Sequence, residues 1–482
     1  MKNSKQKTQE SNLRGFTRLM AEGKVRQALR LIDANSEITG VHKLDDSIRL
    51  QLDSKHPEGK NINAEIELFE EPSMVQEVIF EEIGQEAIQQ AAMNINGTGG
   101  PSQIDAEVWR HVLCSKRFGK TSNDFASEIA TATRRLCVEE VPHSYLSLLI
   151  DGRLVPLKKE DNGVQPIGVG ECLRRIMGRS VARVLKRDVQ TAGGTLQTCT
   201  GVEGGTEAAI HAMNRIFDDP ECEAAILVDA ENAFNQLNRK SALQSVQHLC
   251  PPLFKFLKNT YQKPSRLHLM DGTSIDSQEG VTQGDPLAMQ MYSVASRRIV
   301  ENLKGVADEV KQVWYADDCA GAGSLRDLHQ WWSHLADTGP LYGYFPNVSK
   351  TCIVVKSEEM AVRARNIFGP EIKITTEGKR YVGAALGTDE FKMGYVKAKV
   401  EKWAEYVEEL AQIAKDEPQA ALSAYNTGLS QRWTFIQRTM GLNADLFQPI
   451  EDKIRHQLIP ALCGRQVSDI ERRMLALPYR LG

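Results

Sequence analysis

Little in the chain's sequence pattern points to secretion or to a membrane. The opening MKNSKQKTQESN has no apolar h-region, and no apolar run approaches the roughly 18 residues needed to span a bilayer. It also lacks any C-x-x-C pair, and none of its nine cysteines, Cys114, Cys172, Cys319 and Cys463 among them, has a His partner at zinc-ligand spacing. A reducing compartment follows, and the expectation is an intracellular protein, cytoplasmic or nuclear, neither secreted nor held at a membrane. There is no excess of positive charge either: 59 Lys and Arg against 63 Asp and Glu leave a formal charge of −4, a balance that argues weakly against a nucleic-acid partner. Internal repeats are absent, and so are low-complexity tracts beyond the ends.

What is present is unevenly placed. Residues 51–90 carry ten acids against two bases, whereas residues 174–187 hold Arg174, Arg175, Arg179, Arg183, Lys186 and Arg187 with no acid. At 482 residues, with 41% hydrophobic and 25% charged residues, the chain fits a globular protein of about two to four compact units. The opening as far as Asn12 reads as a disordered polar tail, and the segment from Leu13 to Ile32 has apolar residues at helical spacing. The stretch from Asn96 to Pro101 (NGTGGP) is the strongest breaker. Helical spacing returns from Ala106 to Val138, and a strand-like LSLLI leading through Asp151 and Gly152 into LVPL suggests a hairpin. From Glu171 to Val189 the pattern is one helix, with Leu173, Ile176, Met177, Val184 and Leu185 on the buried face and Arg175, Arg179, Arg183 and Arg187 repeating every four residues on another. Helices and short strands alternate to about residue 390, and the last 90 residues read as helices. There Trp403, Tyr406 and Leu410, and again Trp433, Ile436 and Met440, recur on one face.

Two segments point to chemistry. In the first, the apolar run from Ala224 to Val228 ends in Asp229 and turns into a helix through Phe234 and Asn235; in the second, QVWYA leads into Asp317 and Asp318 at a turn between two strands. Carboxylates at a strand end and in a tight hairpin are held by well-fixed backbone, and oxygen ligands suit magnesium. Between them lies EGVTQGDPLA, in which Gly284 permits close backbone approach and Pro286 opens a helix. Each segment alone also reads blandly, as a cap, an exposed turn or a loop.

Their order makes them specific. D-x-x-x-A-F-N, then Q-G-x-P-L, then Y-A-D-D resembles motifs A, B and C of the reverse transcriptase palm. LVPLKK at 154–159 with PIGVGE at 166–171 resembles the fingers of retroelement enzymes, GYFPNVSKT at 343–351 resembles motif D of the non-LTR retrotransposon and group II intron branch, and Tyr381-Val-Gly383 resembles its primer grip.

The resemblance implies an α+β right-hand polymerase: an N-terminal extension over 1–96, partly helical, fingers over 97–215, a palm of antiparallel sheet plus helices over 216–390, and a helical thumb over 391–482. It implies RNA-directed DNA synthesis with two Mg2+ ions on Asp229, Asp317 and Asp318, Mn2+ being able to substitute. Lys350 would act as general acid on pyrophosphate. Lys158, Lys159, Ala230, Phe234, Gln283 and Gly284 would surround the incoming nucleotide, with the Phe234 ring under its sugar. Arg175, Arg179 and Arg183 would meet phosphates of an RNA template or a DNA or RNA primer, and Tyr381 and Gly383 would meet the primer. The oligomeric state stays open.

One departure stands out: the family commonly has Arg directly before Pro-Ile, and this chain has Gln165, a neutral amide that cannot replace a charged fork on phosphate. Two other readings therefore remain, an RNA-directed RNA polymerase and a catalytically weak, maturase-like nucleic-acid binder. No nuclease or zinc-knuckle pattern accompanies the motifs, and the ending LPYRLG resembles the start of a longer segment in mobile elements, so the expectation is a fragment of a longer protein or a degraded copy.

Overall fold

The computed structural model describes residues 2–32, 40–64, 66, 75–159 and 163–475; the LPYRLG ending lies outside them. The chain forms two compact units, one of Gly40–Thr376 and one of Met1–Thr39 with Glu377–Gly482.

Among the described residues the larger unit carries nine strands: β1 (Gly152–Lys158), β2 (Val164–Gly170), β3 (Ala224–Val228), β4 (Ser265–His268), β5 (Ser274–Ser277), β6 (Lys311–Tyr315), β7 (Asp318–Gly323), β8 (Cys352–Val355) and β9 (Lys373–Thr375). Five of them make one sheet in the order β6-β7-β3-β8-β9, with β3 antiparallel to both neighbours. The sequence explains the central place of β3. Its AAILV run is apolar without alternation and buried throughout, as a strand covered on both faces requires. Ile226 and Val228 share a core with Ile299, Val300 and Leu303 of the helix Ala288–Val306, and with Leu328, Trp331 and Leu335 of the helix Leu325–Thr338. Two of the indoles that reach this core, on Trp314 and Trp331, donate to the Gln312 side-chain oxygen, at 2.9 and 3.4 Å. The four remaining strands form a second sheet, β2-β1-β4-β5, with β1 and β2 paired from Gly152↔Gly170 to Lys158↔Val164.

Three local expectations differ from the structure. The LSLLI segment is not a strand; it lies in the helix His143–Ile150, where Leu146 and Ile150, four apart, are buried and Leu148 is 89% exposed. A five-residue apolar run carries too little period to separate the two. The basic helix breaks at Leu185 into Cys172–Val184 and Lys186–Gly193, which takes Arg187 off the line of its predecessors. The polar opening is helical from Lys2, since Lys, Gln and Glu are good helix formers even without an apolar face.

In the smaller unit the helices Lys2–Ala21 and Val25–Leu31 share a core with the C-terminal helices: Phe16 and Leu29 cluster with Val400, Trp403, Tyr406, Leu410, Trp433 and Ile436. It also holds the hairpin of β10 (Gly378–Tyr381) and β11 (Ala384–Gly387), after which the described residues contain helices and no further strand. No described helix is long and apolar enough to cross a membrane.

Candidate active site

Asp229 is the first residue past β3 and half-buried. Its carbonyl accepts from Asn347 N–H at 2.7 Å, and two residues on, Glu231 N–H donates to Phe345 O at 2.8 Å. The 343–351 segment thus fixes the backbone that carries Asp229. Asn232 then adopts φ +48°, a left-handed conformation Asn tolerates better than most residues, and its side-chain amide donates to Lys55 O at 2.8 Å. That residue starts the short helix Ala233–Gln236, which places Phe234.

β6 and β7 pair to Tyr315↔Asp318, so Ala316 and Asp317 are the two-residue turn. β3 and β7 pair to Val228↔Cys319, so one step further along the same ladder Asp229 and Asp318 face each other across the strand ends. Asp317 is half-buried and Asp318 exposed. Burial, reinforced by the charge of Asp229, raises the Asp317 carboxyl above its ordinary range, and the Asp317 carbonyl accepts from the Tyr344 hydroxyl at 2.9 Å. Among the described residues no three His, Cys, Asp or Glu converge as a ready-made metal cage. The donor set nevertheless suits a hard divalent ion: all-oxygen ligands, with two carboxylates whose mutual repulsion a cation would relieve.

The segment before Gln283 buttresses Phe234. Val281 N–H donates to Phe234 O at 2.7 Å and Gly280 N–H to Leu237 O at 2.9 Å. A Cβ on Gly280, at φ +67°, would lie 2.2 Å from Phe234 O, so only glycine allows this approach. The Phe234 ring, half-buried, stacks on Tyr292 with centroids 4.8 Å apart and planes 21° from parallel. Gln283 is half-buried and Gly284 exposed.

The lysines and arginines are placed unequally. Lys158 and Lys159 are exposed at the β1 end of the hairpin, and Gln165 faces Leu157 across it. Lys350 is exposed, its N–H held by Asn347. Arg175 donates to the carbonyls of Asn96 and Thr98 at 2.9 and 2.6 Å, Arg179 to that of Asn94 at 2.6 Å, and Arg183 to the Gln90 side chain. Arg175 and Arg179 therefore satisfy carbonyls at and beyond the end of the helix Gln85–Asn94, and Arg183 holds a side chain within it. Arg175 and Arg179 also line, with Gly284 and Gln290, a cavity of about 350 Å³. Tyr381 ends β10 and Gly383 lies with Val382 in the β10–β11 turn, in the smaller unit; Val382 takes φ +44° and Gly383 φ +89°, and the Tyr395 hydroxyl donates to Gly383 O at 2.8 Å.

Sequence patterns did not single out a buried polar network behind these residues. Arg174, 3% exposed, pairs with Asp285, whose other carboxylate oxygen accepts from Leu287 N–H at 2.7 Å. The Tyr261 ring lies 5.1 Å from the Arg174 guanidinium and 5.3 Å from that of Arg239. Arg239, which burial lowers to about 10, donates to the carbonyls of Ser277, Glu279 and Gly280 at 2.8 to 3.0 Å. The Glu279 carboxylate accepts from the backbone N–H of Arg239 and of Lys60. The loop bearing Gln283 and Gly284 is thus clamped from both sides.

The profile of the family described as reverse transcriptase (RNA-dependent DNA polymerase) matches residues 157–385, from the β1–β2 hairpin to β11. Residues 157–385 form a reverse transcriptase domain. Its fold is the mixed α+β class of right-hand polymerases. Among solved structures, apo telomerase from Candida tropicalis is similar over 65% of this chain and 63% of its own length, at 10% identity and a TM-score of 0.39. That similarity therefore covers less than two thirds of the telomerase chain. No curated protein sequence matches the chain significantly. All three aspartates, Phe234, Gln283, Gly284 and Lys350 lie inside the reverse transcriptase domain, and so do Arg175, Arg179 and Arg183.

Proposed function

We propose that the chain is a template-directed DNA polymerase of the non-LTR retrotransposon and group II intron-like branch, which copies RNA or DNA by adding dNTPs to a primer 3′-hydroxyl. The observation that carries this reading is the juxtaposition of Asp229 at a strand end with Asp317 in the neighbouring turn, close enough for one charge to raise the other carboxyl.

Asp229 and Asp317, with Asp318 beside them, would hold two divalent ions, magnesium or manganese. Bound there, the ions would supply activation of the attacking 3′-oxygen and charge neutralisation on the departing pyrophosphate. The protein's own groups do the rest. Phe234 occupies the volume a 2′-hydroxyl would need. Ala230, Gln283 and Gly284 shape the nucleotide pocket, and Lys158 and Lys159 neutralise triphosphate charge in place of the arginine that Gln165 replaces. Lys350 delivers a proton to the leaving pyrophosphate. Arg179 and Arg183, both exposed, and Arg175 on the same helix meet template or primer phosphates, and Tyr381 and Gly383 meet the primer end.

Primer extension on an RNA template tests this directly. With dNTPs and Mg2+ the protein extends a DNA primer and Asp317→Asn does not; equal extension by both would refute the site. A second reading, a maturase-like binder with weak catalysis, is favoured by one feature, the neutral Gln165. It predicts tight template binding with extension no faster than that of Asp317→Asn.

A further inference from the structure

Ala316, the residue before the aspartate pair, has φ +55°. For a side chain with a Cβ this conformation is strained, and in two-residue hairpin turns the position is normally glycine. Something must therefore hold it. The Ala316 N–H donates to the Gln197 side-chain oxygen at 2.8 Å, and the Gln197 side-chain nitrogen donates to Ala316 O at 3.2 Å and to Ser296 Oγ at 3.1 Å. One buried amide thus grips the N–H and the C=O of the same strained residue. Its orientation is determined, because flipping the amide would oppose donor to donor and acceptor to acceptor.

The grip has a rigid base. Gln197 is 1% exposed and forms a parallel bridge with Trp314 along the outer edge of β6: Trp314 N–H donates to Leu196 O at 2.9 Å and Thr198 N–H to Trp314 O at 2.8 Å. The third partner, Ser296, is 2% exposed and itself donates to Ser293 O at 3.0 Å, within the helix Ala288–Val306. The turn is therefore tied both to the strand edge and to the helix that follows the Gln283 loop.

We infer that Gln197 is a positioning residue for catalysis, whose side-chain amide holds the strained Ala316 turn so that Asp317 is aimed at Asp229 and the ions they would share. The inference rests on the proposed two-ion site. Gln197 touches neither substrate nor metal; it acts through the Ala316 peptide.

The test uses the full chain with Gln197→Met, which keeps the volume and removes all three side-chain hydrogen bonds, and Gln197→Glu, which keeps an acceptor for Ala316 N–H and loses the donor. The first readout needs no activity: amide hydrogen exchange in metal-free protein. In Gln197→Met, exchange across Ala316, Asp317 and Asp318 rises about tenfold or more while amides of β3 stay unchanged. The second is the Mg2+ concentration for half-maximal extension, which rises about fivefold or more while primer–template affinity stays within about twofold. Adding Ala316→Gly, which removes the strain, restores part of the lost metal affinity.

Unchanged hairpin exchange and metal requirement in folded Gln197→Met overturn the inference, as does exchange that rises uniformly over the whole domain, or a double variant that regains nothing. If Gln197→Met fails to fold, the same comparisons are made on Gln197→Glu. Wild-type extension by Asp317→Asn refutes the two-ion reading itself. A dead Asp317→Asn beside an indifferent Gln197→Met refutes only the clamp.

Discussion

The most discriminating prediction concerns the sugar. Phe234 is not free to lean out of the way: its carbonyl is held by Val281 N–H at 2.7 Å, and its ring lies flat on Tyr292, 1% exposed, at 4.8 Å. A 2′-hydroxyl meeting the opposite face of that ring would push against a two-ring plate with a packed core behind it. Discrimination is then steric and needs no hydrogen bond to the substrate. Phe234→Ala or Phe234→Val should raise the rNTP-to-dNTP ratio of kcat/KM by about one to three orders of magnitude, which corresponds to about 1.4 to 4 kcal/mol of relieved clash. Losing the stacked pair also removes about 0.5 to 1.5 kcal/mol of stability, and dNTP incorporation will fall with it, so the ratio is the quantity to measure. Tyr292→Leu, which leaves Phe234 with a smaller side chain in place of the stacked ring, should move the ratio in the same direction by less. Single-nucleotide incorporation with each substrate gives both numbers. A flat ratio in folded Phe234→Ala would make that residue a core Phe, and a wild type that prefers rNTPs would make the chain an RNA polymerase.

Four further outcomes follow. Asp229→Asn or Asp317→Asn should abolish extension while primer–template affinity stays within a few-fold. Because the Asp317 carboxyl is raised in the fold, its ionisation opposes folding: stability of the metal-free protein falls as pH climbs from the ordinary carboxylate range to the raised value and stays lowered above it. Asp317→Asn should flatten that fall and stabilise the metal-free protein at neutral pH, and thermal unfolding that shows no gain would refute the argument. Arg179→Ala with Arg183→Ala should lower the salt slope of duplex binding by about 0.9 per lost phosphate contact; an unchanged slope would mean that both arginines serve only Asn94 and Gln90. Arg174→Met strands Asp285 as a buried unpaired charge and should destabilise the larger unit by about 3 to 5 kcal/mol, whereas Arg174→Met with Asp285→Asn should recover much of that loss in urea unfolding.

How much of this was legible beforehand depended on whether the signal was local. An apolar run such as AAILV ending in aspartate needs only its own residues to be read as a buried strand with a carboxylate at its end, and the structure agrees. The C-terminal helices were equally legible, since Trp403, Tyr406 and Leu410 repeat at a helical period and are buried as that period requires. LSLLI failed because five apolar residues fit either element, and the decision fell to tertiary burial of Leu146 and Ile150. The arginine row was legible as a row. Its partners were not, because the carbonyls it satisfies lie 77 to 85 residues earlier in the chain.

The residues that escaped notice share one physical trait: their roles are defined by backbone groups far away in sequence. Gln197 in LQTCTG carries no periodicity and no motif that singled it out, and its partner Ala316 is 119 residues on. Arg174 looked like one more member of a basic ribbon until burial separated it from Arg175 and Arg179 and set it against Asp285. A carboxylate that performs chemistry must be exposed enough to meet its substrate, and so tends to sit at recognisable strand ends and turns. The groups that aim it must be buried, and a buried polar side chain is placed wherever the fold leaves an unsatisfied N–H or C=O. Chemistry can therefore be read from pattern, while the positioning of that chemistry has to be read from hydrogen bonds.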